Sequence, residues 1–337
     1  MVTDTIIRKR IMMTKKSEKG KLKTLCLVTG GAGFIGSNLV DGLLAKGYRV
    51  RVLDNLSTGK KENLEHVLSR IEFVRGDLCR DRDISRAVKG VSYVFHLAAI
   101  ASVPQSMAQP METHETNVTG TLKLLKESQK AGVKRFIFTS SSAAYGETHR
   151  FPTKEEDPLR PESPYAVSKI MGEYYCRMFS QMFGLETVSL RYFNIYGPRQ
   201  NPKSRYANVI PIFIKCLLEG VPPEVHWDGK QSRDFCHVAD VAAANLLAMK
   251  RPGISGEVFN VGTHTEANLL DCLKIIQKSL RIKKFQVIHK PKREGDVRRT
   301  FADIRKSRRL LGYDPKVTFE KGLKSTIAWF LKHPERL

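Results

Sequence analysis

A chain of 337 residues with 41% hydrophobic residues can bury a substantial core, as two lobes or as one large α/β domain with a cap, and has no apolar run long enough to span a bilayer. Six scattered cysteines, with no CxxC pair and no histidine at ligand spacing, fit free thiols in a reducing cytoplasm and leave no metal site to expect. The formal charge of +23 gathers in the stretch through Lys23, which reads as a disordered basic extension (1–23), and from Arg281 onward. A nucleic-acid partner lacks any RNP-type or helix-turn-helix signature, so the charge reads as attraction to anionic substrates or surfaces, or as the bias of a basic proteome.

In chain order, KTLCLVTG (23–30) predicts a buried strand and SNLVDGLLAKG (37–47) an amphipathic helix. RVRVLDN (49–55), IEFVRGDL (71–78) and VSYVFHLAA (91–99) predict the next three strands. A helix over 116–131 leads to a strand in KRFIFTSSS (134–142), a long helix starts at Pro164, and LETVSLRYFN (185–194) is another strand. Strands separated by helices imply an α/β fold with a doubly wound parallel sheet. Beyond Asn194 prolines and glycines loosen the pattern around a helix at 208–220. EVFNVG (257–262) reads as one more strand of the first sheet, and 263–337 is helical with a short strand near 285–289. The expected division is a cofactor lobe of 24–195 with 232–262, interleaved with a smaller α/β substrate lobe of 196–231 with 263–337.

TGGAGFIGS (29–37) places Gly30, Gly33 and Gly36 between a strand and a helix, where missing side chains let backbone N–H groups, those of Phe34 and Ile35 included, approach a pyrophosphate. Asp54 ends the second strand, 18 residues after Gly36. It can accept two hydrogen bonds from an adenosine ribose and would repel a 2′-phosphate, which favours NAD over NADP; the bland alternative is a turn residue beside Asn55. Asp77 and Leu78 are expected at the adenine. Ala98 and Ala99 let a cofactor lie flat on the sheet edge, and Asn117 can hold backbone near the nicotinamide ribose. Thr139 and Tyr192 complete the expected dinucleotide set.

Tyr165 and Lys169 in SPYAVSK (163–169) share one helix face. A tyrosine with a pKa near 10 is a poor base, and a nearby ammonium with a positive nicotinamide ring would lower it. TSSSAAYG (139–146) brings Ser141 and Ser142 opposite the phenol, where a hydroxyl can orient or relay the proton of a reacting alcohol. A serine-rich strand end can also merely cap backbone groups, and for Ser142 the choice between catalysis and substrate contact stays open.

With HLAA (96–99), RYFNIYGPRQ (191–200), GKQSRDFCHVADV (229–241), FNVG (259–262) and REGDVRRTFAD (293–303), these motifs make the sequence similar to the extended short-chain dehydrogenases/reductases that act on nucleotide sugars, nearest to the 4-epimerase branch. The resemblance implies a Rossmann sheet and tightly held NAD. It implies substrate contacts from Asn194, Asn208 and Val209 on the diphosphate and uracil side, and from Arg233, Arg293 and Asp296 at the diphosphate and nucleotide ribose. His96 reads as structural. The 4,6-dehydratases of the family carry an Asp-Glu pair where this chain has Ser142 and Ala143, and the decarboxylases carry a glutamate in the place of Ala143; epimerisation needs neither.

The small Thr300, with Ala101 and Ser102 beneath the sugar, resembles the UDP-N-acetylglucosamine 4-epimerase group, with room for UDP-glucose. The expectation is therefore 4-epimerisation of a UDP-hexose through a 4-keto intermediate by a cytoplasmic enzyme. Its rivals are a UDP-glucose-only epimerase, a nucleotide-sugar dehydratase or reductase, and an NAD-binding regulatory or RNA-associated protein, against which the intact Ser141, Tyr165 and Lys169 argue. The resemblance also implies a homodimer paired through the helices at 116–131 and 164–183, with Phe179 and Met182 either facing the partner or packing on the sheet.

Overall fold

The computed structural model describes residues 24–202, 209–292 and 297–337; the basic extension, Asn208, Arg293 and Asp296 lie outside the described residues. Seven parallel strands form the central sheet: β1 (Leu25–Thr29), β2 (Arg49–Asp54), β3 (Ile71–Arg75), β4 (Tyr93–His96), β5 (Arg135–Ser141), β6 (Glu186–Tyr192) and β11 (Glu257–Val261). Their order is β11-β6-β5-β4-β1-β2-β3. The chain therefore runs outward from β1 through β2 to β3, then returns to β1's other side and runs through β4 to β11. That reversal opens a crevice beyond the carboxyl ends of β1 and β4. β1 is LCLVT and buried throughout, as a strand covered on both faces must be. Glu257–Val261 lies beside β6 in parallel register, as its pattern predicts.

Helices α1 (Phe34–Ala45), α2 (Asp81–Val88), α3 (Val103–Ala108), α4 (Pro110–His114), α5 (Gly120–Lys130) and α6 (Pro164–Met182) connect the strands. α1 begins three residues before the expected Ser37, because the glycine motif is itself the helix N-terminus. α4 runs into α5 through a π-helical turn, Glu115–Thr119, that holds Asn117. α6 starts where expected: Ser163 accepts the Ala166 N–H on its hydroxyl at 3.2 Å, and Pro164 occupies the first turn, where it has no N–H to waste.

The remaining described elements, among them α7 (Val209–Glu219), α8 (Val238–Lys250), α9 (Leu269–Leu280) and α10 (Phe319–Lys332), are joined by short strands in pairs: β7 (Asn194–Tyr196) with β10 (Phe235–His237), β8 (Glu224–His226) with β13 (Ile288–Lys290), and β9 (Ser232–Arg233) with β12 (Ala267–Asn268). α7, α9 and α10 share a core of their own around Phe213, Leu273 and Phe330. α8 packs on α1 instead. Ala302, Ile304, Leu311 and Tyr313, which the sequence assigns to the substrate lobe, bury in the core under the sheet because that segment folds back over β11.

Phe179 is 6% exposed and sits in the core between α6 and the sheet, so it does not face a partner; Met182, three residues on, is 74% exposed. Of the two alternatives for Phe179, packing on the sheet holds. Among the described residues no helix is long and apolar enough to cross a membrane.

Gly172 lets α6 approach β5 closely: a methyl group there would stand 2.2 Å from Phe138 Cζ. Gly172→Ala in a free helix would gain about 1 kcal/mol. Here the overpacking dominates, and a net loss of about 1–3 kcal/mol is expected, read as a lower urea midpoint at unchanged slope. A gain would mean that Phe138 swings aside freely.

Candidate active site

The cleft at the sheet's carboxyl edge has a volume of about 1240 Å³. Its dinucleotide side is built on the first turn. Gly30 has φ +68°, and a Cβ there would lie 2.8 Å from the Ala98 nitrogen; a Cβ on Gly36 would lie 2.2 Å from the Gly30 carbonyl. Only glycine allows a turn this tight. Gly33 caps α1 without a side-chain bond, so the N–H groups of Phe34, Ile35 and Gly36 are left for an anion. Asp54, 7% exposed, accepts the Ala32 N–H at 2.9 Å and the Leu56 N–H at 2.8 Å, one on each carboxylate oxygen. Burial pushes its pKa up, against those two bonds. Each oxygen keeps a lone pair for a ribose hydroxyl. Asn55 donates to Asp77 at 2.9 Å, and the Cys79 N–H does so at 2.8 Å. Burial raises Asp77, but these bonds outweigh it and hold the carboxyl below its ordinary value. A cradle of this kind fits a dinucleotide pyrophosphate and its ribose.

Ala98, Ala99, Leu78, Thr139 and Tyr192 line the same cleft. The Tyr192 hydroxyl is held by Asn245 at 2.7 Å and Thr139 at 3.3 Å, so it stiffens the wall. Asn117 does not line the cleft. It accepts the Ile100 N–H at 2.8 Å and donates to the Ile100 carbonyl at 3.0 Å, which spends its amide on holding backbone.

The reacting side gathers Ser141, Ser142, Tyr165 and Lys169. Ser141 ends β5 and accepts the Ala143 N–H at 3.2 Å; Ser142 begins the tight helical turn Ser142–Tyr145. Burial raises the Tyr165 phenol above its ordinary value, and a hydrogen bond with Ser141 pulls against it. Lys169 donates to the Thr139 carbonyl at 2.9 Å and stands 5.7 Å from the Tyr165 ring centroid. Burial pushes the Lys169 pKa down to about 8, with the Glu173 charge pulling it up. The lysine is anchored beside the ring as a charge and a donor.

Behind it, Glu173 and Arg191 form a buried ion pair at 2.7 Å, and Ser140 donates to the same carboxylate. Sequence reasoning missed this pair, although Glu173 repeats the Tyr165–Lys169 spacing along α6.

On the opposite side, Ala101, Ser102, Asn194, Arg233 and Thr300 line the cleft. Thr300 donates to Asn194 Oδ1 at 2.7 Å, joining two residues 106 apart in sequence. Ser102 caps α3 by accepting the Gln105 N–H at 3.1 Å. Val209 begins α7 and packs against the second core rather than lining the cleft. Asp234, which the sequence did not single out, accepts from Thr263 N and Oγ1, both at 2.7 Å, and from the N–H groups of His264 and Ala302. Burial pushes its pKa up to about 6 against these bonds. It ties the Arg233 strand to the segment carrying Thr300; its only signal was its place beside Arg233 in SRDF. Among the described residues no group of three or more His, Cys, Asp or Glu side chains is placed to hold a metal ion.

A parallel sheet reversing at a glycine turn, with a tyrosine, a lysine and a serine above its edge, has the layout of a dinucleotide-dependent enzyme. The family model described as NAD dependent epimerase/dehydratase matches residues 26–262. A UDP-glucose 4-epimerase of Mycolicibacterium smegmatis is 38% identical over 309 residues, 90% of this chain and 97% of the relative. The structure of a UDP-N-acetylglucosamine 4-epimerase from Methanobrevibacter ruminantium, in complex with UDP-N-acetylmuramic acid, superposes with a TM-score of 0.88 at 39% identity, covering 92% of this chain and 99% of that one. A UDP-glucose 4-epimerase from Thermotoga maritima with UDP-glucose gives a TM-score of 0.88 at 42% identity, over 92% and 100%. The chain belongs to the NAD-dependent epimerase/dehydratase family, within the extended short-chain dehydrogenases/reductases, and its cofactor is NAD.

Tyr165→Phe removes the one phenol at the Ser141 hydroxyl while keeping the ring's packing. Turnover is expected to fall by about 10²–10⁴-fold, with NAD content and UDP binding by calorimetry unchanged. Wild-type turnover in this variant would remove Tyr165 from the chemistry.

Proposed function

We propose that this enzyme is a 4-epimerase of UDP-hexoses, acting on UDP-N-acetylglucosamine and UDP-N-acetylgalactosamine and also admitting UDP-glucose and UDP-galactose. The observation that carries the reading is the reacting wall itself: Ser141, Tyr165 and Lys169 supply a base and its partners, while the two positions after Ser141 are Ser142 and Ala143, with no carboxyl group to expel a C6 hydroxyl. When bound, NAD supplies reversible hydride acceptance at C4 of the sugar. Tyr165 takes the C4 hydroxyl proton, and Ser141 orients that hydroxyl. Lys169, fixed on the Thr139 carbonyl, holds its charge beside the phenol. After the 4-keto sugar has turned over, its C4 would present the opposite face for return of the hydride, and the same phenol gives the proton back to the C4 oxygen. Turning requires a firm hold on the nucleotide diphosphate and a loose one on the hexose. Arg233 suits the first, and the small side chains of Ala101, Ser102 and Thr300 suit the second.

The N-acetylated substrate follows from Thr300. Its hydroxyl is committed to Asn194, and its size leaves room for a C2 acetamido group in either sugar orientation. Thr300→Tyr is expected to lower kcat/KM for UDP-N-acetylglucosamine relative to UDP-glucose by at least about tenfold, since the clash exceeds the 1–3 kcal/mol attached to one methylene in a pocket. An unchanged ratio in the two proteins would show that residue 300 does not border the sugar.

A second copy of this chain is the proposed partner. A groove of about 710 Å³ runs between α3, α4 and α6, lined by Met107, Met111, Val167 and Met171. Tyr174 and Met182 continue the exposed apolar stripe along α6. Sedimentation velocity at micromolar concentration is expected to show a dimer, and Val167→Asp with Tyr174→Asp a monomer. A fully active wild-type monomer would refute the pairing.

A further inference from the structure

His96 ends β4 and is 1% exposed, with its ring against Phe136 and Phe138. Both ring nitrogens are hydrogen-bonded: Nδ1 to the Thr29 hydroxyl and Nε2 to the Thr121 hydroxyl, each at 2.8 Å. The direction of these bonds follows from where the hydroxyl protons go. Thr121 donates its proton to the Asn117 carbonyl at 2.6 Å, so toward His96 its oxygen can only accept, and Nε2 carries the hydrogen. In the neutral ring Nδ1 is then the acceptor and takes the Thr29 proton. The Thr29 oxygen accepts the Ala98 N–H at 3.2 Å.

Each end of this series reaches the active site. Ala98 is the backbone on which Gly30 rests, so one end is the floor of the dinucleotide cradle. At the other end the series stops on the Asn117 main-chain carbonyl; the side-chain amide of the same residue brackets Ile100 and donates to Ser168 at 3.1 Å, and the Ser168 hydroxyl donates to the Tyr165 carbonyl at 2.7 Å. Every donor meets an acceptor. Reversing one member would set two hydrogens or two lone pairs against each other in a buried place, where that is costly.

We propose that His96, as the neutral Nε2–H tautomer, is a positioning residue: a hydrogen-bond series of fixed polarity passes through it from the cradle at Ala98 to the main chain of Asn117, whose side chain holds Ser168 under the backbone of Tyr165, and so sets the spacing between cofactor and base. Burial lowers the ring's pKa to about 3, with the Lys169 charge adding to the effect, so the ring is neutral at working pH. The kinetic consequence rests on Tyr165 being the base; the tautomer and the cofactor grip do not.

The test uses the NAD-loaded enzyme with UDP-glucose as probe. In His96→Asn the amide oxygen takes the place of Nδ1 and still accepts from Thr29. In His96→Gln the amide nitrogen reaches the place of Nε2 and still donates to Thr121. The expected result is a split: His96→Asn keeps NAD through gel filtration but loses about tenfold or more in kcat, at a KM near wild type, while His96→Gln keeps more kcat and releases NAD. Nitrogen-15 spectra of the histidine-labelled wild type are expected to show Nε2–H and a bare Nδ1, unchanged between about pH 6 and 9. A charged ring or an Nδ1–H tautomer would overturn the proposal. So would equal losses of kcat, NAD retention and Tm in both variants, which is what a merely structural residue gives. If neither variant folds, the wild-type spectrum decides. If Tyr165→Phe proves fully active, the family mechanism fails while the spectrum and NAD retention still judge His96.

Discussion

The site depends on how closely α6 lies on β5. Lys169 reaches the Thr139 carbonyl, Gly172 sits over Phe138, and Glu173 takes Ser140 and Arg191, so three successive positions along one helix face are bound to one strand and its neighbour. That contact puts the phenol of Tyr165 at Ser141 rather than in solvent. It also explains a buried ion pair next to a buried ammonium. Glu173 is drawn fully into Arg191, which leaves Lys169 enough negative field to stay charged without giving it a carboxylate to bind. Such a pair adds little net stability, because desolvation cancels most of its attraction, but losing one partner would strand a charge beside the reacting centre.

The second constraint is the sheet's reversal between β1 and β4. It opens the crevice and brings the glycine turn and the Ala98–Ala99 backbone together. The cofactor side is mostly backbone: N–H groups at the start of α1, and an aspartate whose oxygens are already tied to the main chain. Such a surface is stiff and holds the cofactor by its main chain more than by side chains. The opposite side is different in kind. Its polar atoms are paired with one another, as Thr300 with Asn194, or serve as caps, as Ser102 does.

Much of this was legible before any coordinates. The parallel order of strands, the glycine turn, Asp54 and the Tyr165–Lys169 spacing are local patterns, and each has one physical meaning in its setting: a covered strand, a turn only glycine can make, a carboxylate at a strand end, two side chains one helical turn apart. What the local pattern left open or misplaced was decided by neighbours in space. Asn117 holds backbone, as expected, but that of Ile100 from a π-helical turn; Phe179 takes the core alternative; and the segment around Ala302 and Tyr313, expected in the substrate lobe, returns to the core under the sheet.

By itself the sequence determined the class of fold, the dinucleotide, and the placing of Tyr165 and Lys169 on one helix face, because each rests on residues within a few positions of one another. Tertiary structure alone decided what those groups feel: that Tyr165 is raised by burial, that Lys169 is anchored on Thr139, that Asp234 binds the Arg233 strand to the Thr300 segment, and that His96 is paired at both nitrogens. Burial and long-range hydrogen bonds arise only when segments tens to more than a hundred residues apart are brought into contact, and no local pattern records them.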